Sequence, residues 1–203
     1  TTKPIENDTS YSGFYAYKVN TDGSIDEPII TESLYFPGTE RGILKFSPDG
    51  KKIAATNFKE NGLSNHLFKF NFDSTTGIVS DKYIIFTTKA FFAVVSAYGV
   101  EFSNDSNKLY ASLRFQGFLD ITTGTVPEGS IKTNMLSQYN LENNTLNDEV
   151  TLLSSETGIM IPGSLQLAKN GKIYRALASE DDGLNSLGVI NNPNGLGDLS
   201  GYN

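Results

Sequence analysis

Apolar positions along this chain come in short runs, several alternating with polar ones, and each run stops at a cluster of Gly, Pro, Asp, Asn or Ser. That pattern predicts β-strands joined by tight turns. One unit of it is written three times, from Gly42 to Thr56, from Gly99 to Ser112 and from Gly163 to Leu177. Each copy reads as a strand, a polar turn and a returning strand. In the first, Ile43 to Ser47 is the strand, Pro48-Asp49-Gly50 the turn and Lys52 to Phe58 the return. Proline presets φ for such a turn, and glycine takes a positive φ at no steric cost.

The pattern continues beyond each copy. Leu67 to Asp73 alternates strictly, which predicts a half-buried third strand with Leu67 or Phe68, Phe70 and Phe72 on defined faces. Ser74 to Gly77 turns the chain into a fourth strand near Val79 to Thr87. The second unit repeats this with strands at Tyr98 to Ser103, Lys108 to Phe115, Met135 to Glu142 and Glu149 to Ser154. The third offers Ser164 to Ala168, Lys172 to Ala178 and Leu187 to Asn191. Ahead of them all, Gly13 to Asn20 and Ile25 to Thr31 match only a third and a fourth strand.

Aligning Phe46, Phe102 and Leu167 gives spacings of 56 and 65 residues. Strand-rich units at such a period predict an all-β chain, a β-propeller built of four-stranded antiparallel blades. Residues 1–33 would end one blade, 34–88 and 89–155 would be complete blades, and 156–203 would open another. Because rings of this kind close with about four to eight blades, the chain is expected to cover about half of one. The missing half would come from the same or another chain.

Composition narrows the function classes. A formal charge of −7, spread along 203 residues, argues against nucleic acid as a partner. No apolar run reaches the length needed to span a bilayer, so membrane insertion is not expected. With no cysteine and a single histidine, His66, thiolate and multi-imidazole metal sites are excluded. His66 has no serine or carboxylate at a diagnostic spacing, and no catalytic constellation is visible, so enzymatic activity is not expected.

Several segments together resemble a large family of secreted Bacteroidetes proteins. These are Tyr98 to Ser103 with Asn107 to Tyr110, Asn71 to Asp73 with Thr76 to Ser80, Leu165 to Leu167 with Asn170 to Tyr174, and Leu187 to Asn194. The ordered match runs from about Phe14 to Gly197. It implies a propeller module within a long surface protein that carries PKD or Ig-like modules and a type IX secretion sorting domain. It also implies a secreted or cell-surface location, outside the outer membrane, and an adhesin-like role. The family has no shared catalytic motif to carry over. Asp73-Ser74-Thr75 resembles the short Bacteroidetes O-glycosylation signal, which makes Ser74 a candidate for modification.

The candidate ligand site is a length outlier. Phe102 to Met135 spans 33 residues, against 21 for Phe46 to Leu67 and 20 for Leu167 to Leu187. The excess lies in the loop at 116–134, where a rigid scaffold would carry recognition residues. Phe118 and Asp120 within it, and Arg114 on the strand leading to it, are candidate contacts for a glycan or protein ligand. Phe91 and Phe92, in an apolar connection placed at 88–97, are further candidates unless they pack between blades. No cofactor is required by this reading. Calcium is the one ion the acidic residues could suit, with Glu180, Asp181 and Asp182 as the best local cluster. Glu101, on an innermost strand, would be the ligand of a channel metal if the chain were a lactonase- or lyase-type propeller enzyme. A structural spacer in a surface protein is the other alternative.

Overall fold

The computed structural model describes residues 2–5, 8–32, 42–57, 66–87, 93–142, 150–157, 160–179 and 183–203. They form four antiparallel sheets, each an up-and-down run of chain neighbours. The first holds Thr2–Ile5 (β1), Asp8–Ala16 (β2) and Ile29–Glu32 (β3). The second holds Leu44–Phe46 (β4), Lys52–Asn57 (β5), His66–Asp73 (β6) and Ile78–Thr87 (β7). In the third are Ala93–Phe102 (β8), Lys108–Phe118 (β9), Thr133–Asn140 (β10) and Val150–Thr157 (β11). The fourth has Met160–Leu167 (β12), Ile173–Ser179 (β13) and Gly183–Ile190 (β14). Beyond β14 a short 3-10 turn at Gly197–Ser200 brings Tyr202 back to bridge Ile190. None of these sheets closes on itself. No helix among the described residues is long and apolar enough to cross a membrane.

The repeated turn explains itself at atomic level. Ser47 Oγ donates to Asp49 Oδ1 at 2.5 Å and accepts from the Lys52 N–H at 2.9 Å. In the second copy Ser103 makes the same pair of bonds, to Asp105 at 2.6 Å and from Lys108 at 2.9 Å. Gly50 sits at φ 68, and the matching Ser106 is forced to φ 63. A serine there costs backbone strain, but its hydroxyl accepts from the Asp49 N–H of the preceding turn at 3.1 Å. One sheet further on, Asn194 Oδ1 accepts from the Asp105 N–H at 3.3 Å. The first turn is thus pegged by a side chain of the second, and the second turn by a side chain that follows β14.

Cores lie between successive sheets rather than inside any one. Phe14 of β2 meets Ile53, Phe68, Phe70 and Val79 of the second sheet. Ala54 and Leu67 meet Val95, Val100, Phe102 and Leu109 of the third. Tyr110 and Leu136 meet Leu165, Ile173 and Ile190 of the fourth. This corrects the half-buried reading of β6: Leu67, Phe68, Lys69 and Phe70 are buried in succession. Both faces of the strand are covered by neighbouring sheets, so alternation in the sequence does not become alternation in exposure. Even Lys69 is enclosed, with its ammonium 4.7 Å from the centre of the Tyr83 ring.

Several strands also start earlier than the pattern implies, and one is added. β8 begins at Ala93, because Ala93 and Val94 pair with Phe118 and Gly117 across a bulge. Ala93 to Ala97 is therefore strand, not connection, and Gln116 to Phe118 belong to β9 rather than to a loop. β12 begins at Met160 and β2 at Asp8, each extended by pairing with its neighbour. β1 is a strand the pattern does not predict. Close approach explains two glycines of the repeat. A Cβ on Gly99 would lie 2.2 Å from the Gly163 carbonyl oxygen, and one on Gly163 would lie 1.8 Å from that of Ala176.

Candidate functional site

The connection from Phe118 to Thr133 owes its shape to two turns. Asp120 Oδ1 accepts from the Thr122 hydroxyl at 2.5 Å and from the Thr122 N–H at 2.7 Å. The backbone closes round it, with the Asp120 N–H on the Thr125 oxygen at 2.9 Å and the Gly124 N–H on the Asp120 oxygen at 2.8 Å. The Thr122 hydroxyl and N–H hold the Asp120 carboxyl below its ordinary value. Further on, the Ser130 hydroxyl donates to the Pro127 oxygen at 2.8 Å. The connection then folds back over β9. A Cβ on Gly117 would meet Val126 at 2.7 Å and Ser130 at 2.9 Å. Between this loop and β9 lies a cleft of about 190 Å³ lined by Gln116, Val126, Glu128, Ser130 and Lys132.

Three large apolar side chains of this connection stand in solvent. Phe118 is 61% exposed, Ile121 77% and Ile131 71%. Phe118 leans edge-on against Phe115, with ring centres 5.2 Å apart. Beneath them the end of the third sheet carries a buried polar layer. Gln116 Nε2 donates to Ser96 Oγ at 2.6 Å. Arg114 sits opposite Ser96 on one side and Asn134 on the other, and is only 7% exposed.

The candidate contacts therefore divide. Phe118 stands in solvent at the head of the connection. Asp120 lies in the same connection, where its carboxylate is engaged in building the turn. Arg114 lies inside the sheet below them. Phe91, Phe92, Glu180, Asp181 and Asp182 fall outside the described residues. Ser74 is exposed on the β6–β7 turn, away from this connection. Ile121 and Ile131 escape sequence reasoning, although an isolated isoleucine in a run of Thr, Gly and Pro was a readable signal.

A second polar constellation joins the inner edges of three sheets. Lys45 on β4 reaches Glu101 Oε2 on β8 at 2.9 Å and Gln166 Oε1 on β12 at 2.8 Å. The same carboxylate accepts from the Phe102 N–H and the Leu167 N–H, each at 3.0 Å. These three residues hold equivalent positions in the repeat, so its inner strands converge on one point. Glu101 thus already faces a cation. His66 stacks on Phe68, ring centres 5.1 Å apart and planes at 13°. Among the described residues, no three of His, Cys, Asp and Glu gather as a metal site. Asp22, Asp49, Asp73 and Asp105 instead accept hydrogen bonds inside their own turns.

No protein-family model matches the sequence, and no curated protein does. Among solved structures, TolB from Acinetobacter baumannii is similar over 89% of this chain and 38% of its own, at 15% identity and a TM-score of 0.46. Hydrazine synthase from Kuenenia stuttgartiensis is similar over 91% of this chain and 50% of its own, at 13% identity and a TM-score of 0.49. A puromycin hydrolase variant is similar over 79% of this chain and 28% of its own, at 12% identity and a TM-score of 0.34. This chain spans half or less of the length of each.

Proposed function

We propose that the four sheets are successive blades of a β-propeller covering about half of a closed ring, and that the protein is a non-catalytic binding module. Its ligand is a protein partner, taken on the β9–β10 connection. One observation carries this reading: Phe118, Ile121 and Ile131 stand in solvent on a connection whose backbone is held by its own turns. Apolar anchors on a pre-organised loop lose little freedom on binding, which is what the centre of a protein interface requires. A protein fits this surface better than a glycan, because three large apolar side chains stand exposed on it.

The blade reading is supported by the chain order of the sheets, by the cores between adjacent pairs and by the inner-edge contact of Lys45, Glu101 and Gln166. The remaining blades would come from the same or another chain. Resemblance to the Bacteroidetes family adds the setting, a secreted adhesin-like protein displayed at the cell surface, with Ser74 open to O-glycosylation. The channel-metal enzyme loses ground, since the Lys45 ammonium already neutralises Glu101.

The test is capture of cell-surface proteins by the immobilised full chain, beside a variant carrying Phe118→Ala, Ile121→Ala and Ile131→Ala. A partner purified from the capture and titrated against both should bind the variant about 100-fold more weakly or worse, at an unchanged melting temperature. Equal affinity for both proteins would refute the site. Deleting 119–132 with no loss of adhesion would favour a spacer.

A further inference from the structure

A second cleft, of about 280 Å³, opens between the first two sheets. Its two walls are the β2–β3 connection and the β6–β7 turn, corresponding hairpins of adjacent sheets. At its floor the walls touch, for a Cβ on Gly77 would lie 3.2 Å from that of Ala16. Both walls are internally braced. In the first, Val19 bridges Ile25 and Asn20 Nδ2 donates to Asp26 Oδ1 at 2.7 Å. In the second, Asp73 accepts from the Thr75 N–H and the Thr76 hydroxyl, each at 2.8 Å. The cleft is therefore formed before any ligand arrives.

Its lining mixes two kinds of chemistry. Tyr17, 45% exposed, Phe72 and Ile29 supply apolar surface. Lys18, Glu27 and Ser74 supply charges and a hydroxyl that make no hydrogen bond or ion pair among the described residues. Two carboxylates, Asp26 and Glu27, stand against one ammonium, which disfavours a phosphate or other anion. A wholly apolar ligand would strand those polar groups without water. The volume is just under the range of about 300–1,000 Å³ typical of drug-sized ligands, so the occupant is small.

We infer that this cleft binds a single neutral sugar residue. The C–H face of a pyranose ring would lie on Tyr17 or Phe72, an aromatic surface with apolar body and, in tyrosine, a polar tip. Its hydroxyls would donate to Glu27 and Asp26 and accept from Lys18, charge-assisted bonds in each case. The site lies apart from the β9–β10 connection and shares no residue with it.

The experiment is saturation-transfer NMR on the full chain with the methyl glycosides of glucose, galactose, mannose and N-acetylglucosamine. At least one should receive saturation on its ring protons, with a dissociation constant on the order of 1 mM for so small a ligand. Tyr17→Ala and Glu27→Gln should each weaken it tenfold or more, while the Phe118/Ile121/Ile131 alanine variant binds as the unaltered protein does. Glu27 is exposed and takes no part in the fold, so its variant keeps the test valid if Tyr17→Ala misfolds. Absence of transfer from all four glycosides, or undiminished transfer in Glu27→Gln, overturns the inference. Neither result bears on the protein site, which is read by the other variant.

Discussion

Replacing Glu101 with alanine removes three contacts at once: the Lys45 ammonium at 2.9 Å and the N–H groups of Phe102 and Leu167 at 3.0 Å. Breaking a fully buried ion pair costs about 3–5 kcal/mol. Here the Glu101 side chain is 5% exposed but that of Lys45 is 21% exposed, so the stranded ammonium keeps part of its water. An unmade bond to a buried backbone donor costs about 1–3 kcal/mol, and relaxation or water will satisfy one of the two. Together these set the expected loss near 3 kcal/mol. Glu101→Gln keeps one acceptor oxygen and should lose about half as much. Urea unfolding followed by tyrosine fluorescence reads both, with the slope m unchanged if the native fold persists. The sharper measurement is a double-mutant cycle with Lys45→Met, where the coupling energy should be about 1–2 kcal/mol. A cycle between Lys45→Met and Gln166→Ala should couple by about 0.5 kcal/mol, although those residues belong to sheets that are not adjacent in the chain. A Lys45–Glu101 coupling indistinguishable from zero would refute the claim that the inner strands are tied to one another.

Three further outcomes can be checked in the same way. Gly163→Ala drives a methyl into the Ala176 carbonyl and should cost about 3 kcal/mol, so a melting point within about 2 °C of the parent would contradict the close approach. Ser106→Ala should cost about 1 kcal/mol by leaving the Asp49 N–H unpaired, while Ser106→Gly should cost less because it also relieves the positive φ. Burial pushes the Tyr110 hydroxyl up to about 12, so stability should hold below about pH 10 and fall from there as the unfolded chain, but not the fold, gives up its proton; Tyr110→Phe should flatten that decline.

How far the sequence reaches can be seen in single residues. Ser47, Asp49 and Gly50 announce their turn because turn chemistry is local, and the bonds found there are those the residue types imply. β8 reaches back to Ala93 for a reason no local rule holds: its partner is the far end of β9, some two dozen residues away. The burial of Lys69 was unreadable for the same cause, since it follows from a neighbouring sheet and not from its own strand. Loop length located the β9–β10 connection. Which of its side chains face water was decided by the fold-back over Gly117, a tertiary event. The cleft between the first two sheets left no mark at all, because its walls are 43 or more residues apart in sequence and neither is unusual alone.

The pegs between turns carry one more consequence. Asp49 gives its N–H to Ser106, and Asp105 gives its own to Asn194, in both cases from an earlier turn to a residue later in the chain. The row of turns is therefore vectorial, like a queue in which each member holds the one behind by the same hand. A sheet copied within such a chain can join at either neighbour, provided it keeps its sense and brings a small polar side chain to the receiving position. That rule lets the array lengthen by duplication, and it leaves the outward connections, which take no part in the pegging, free to diverge.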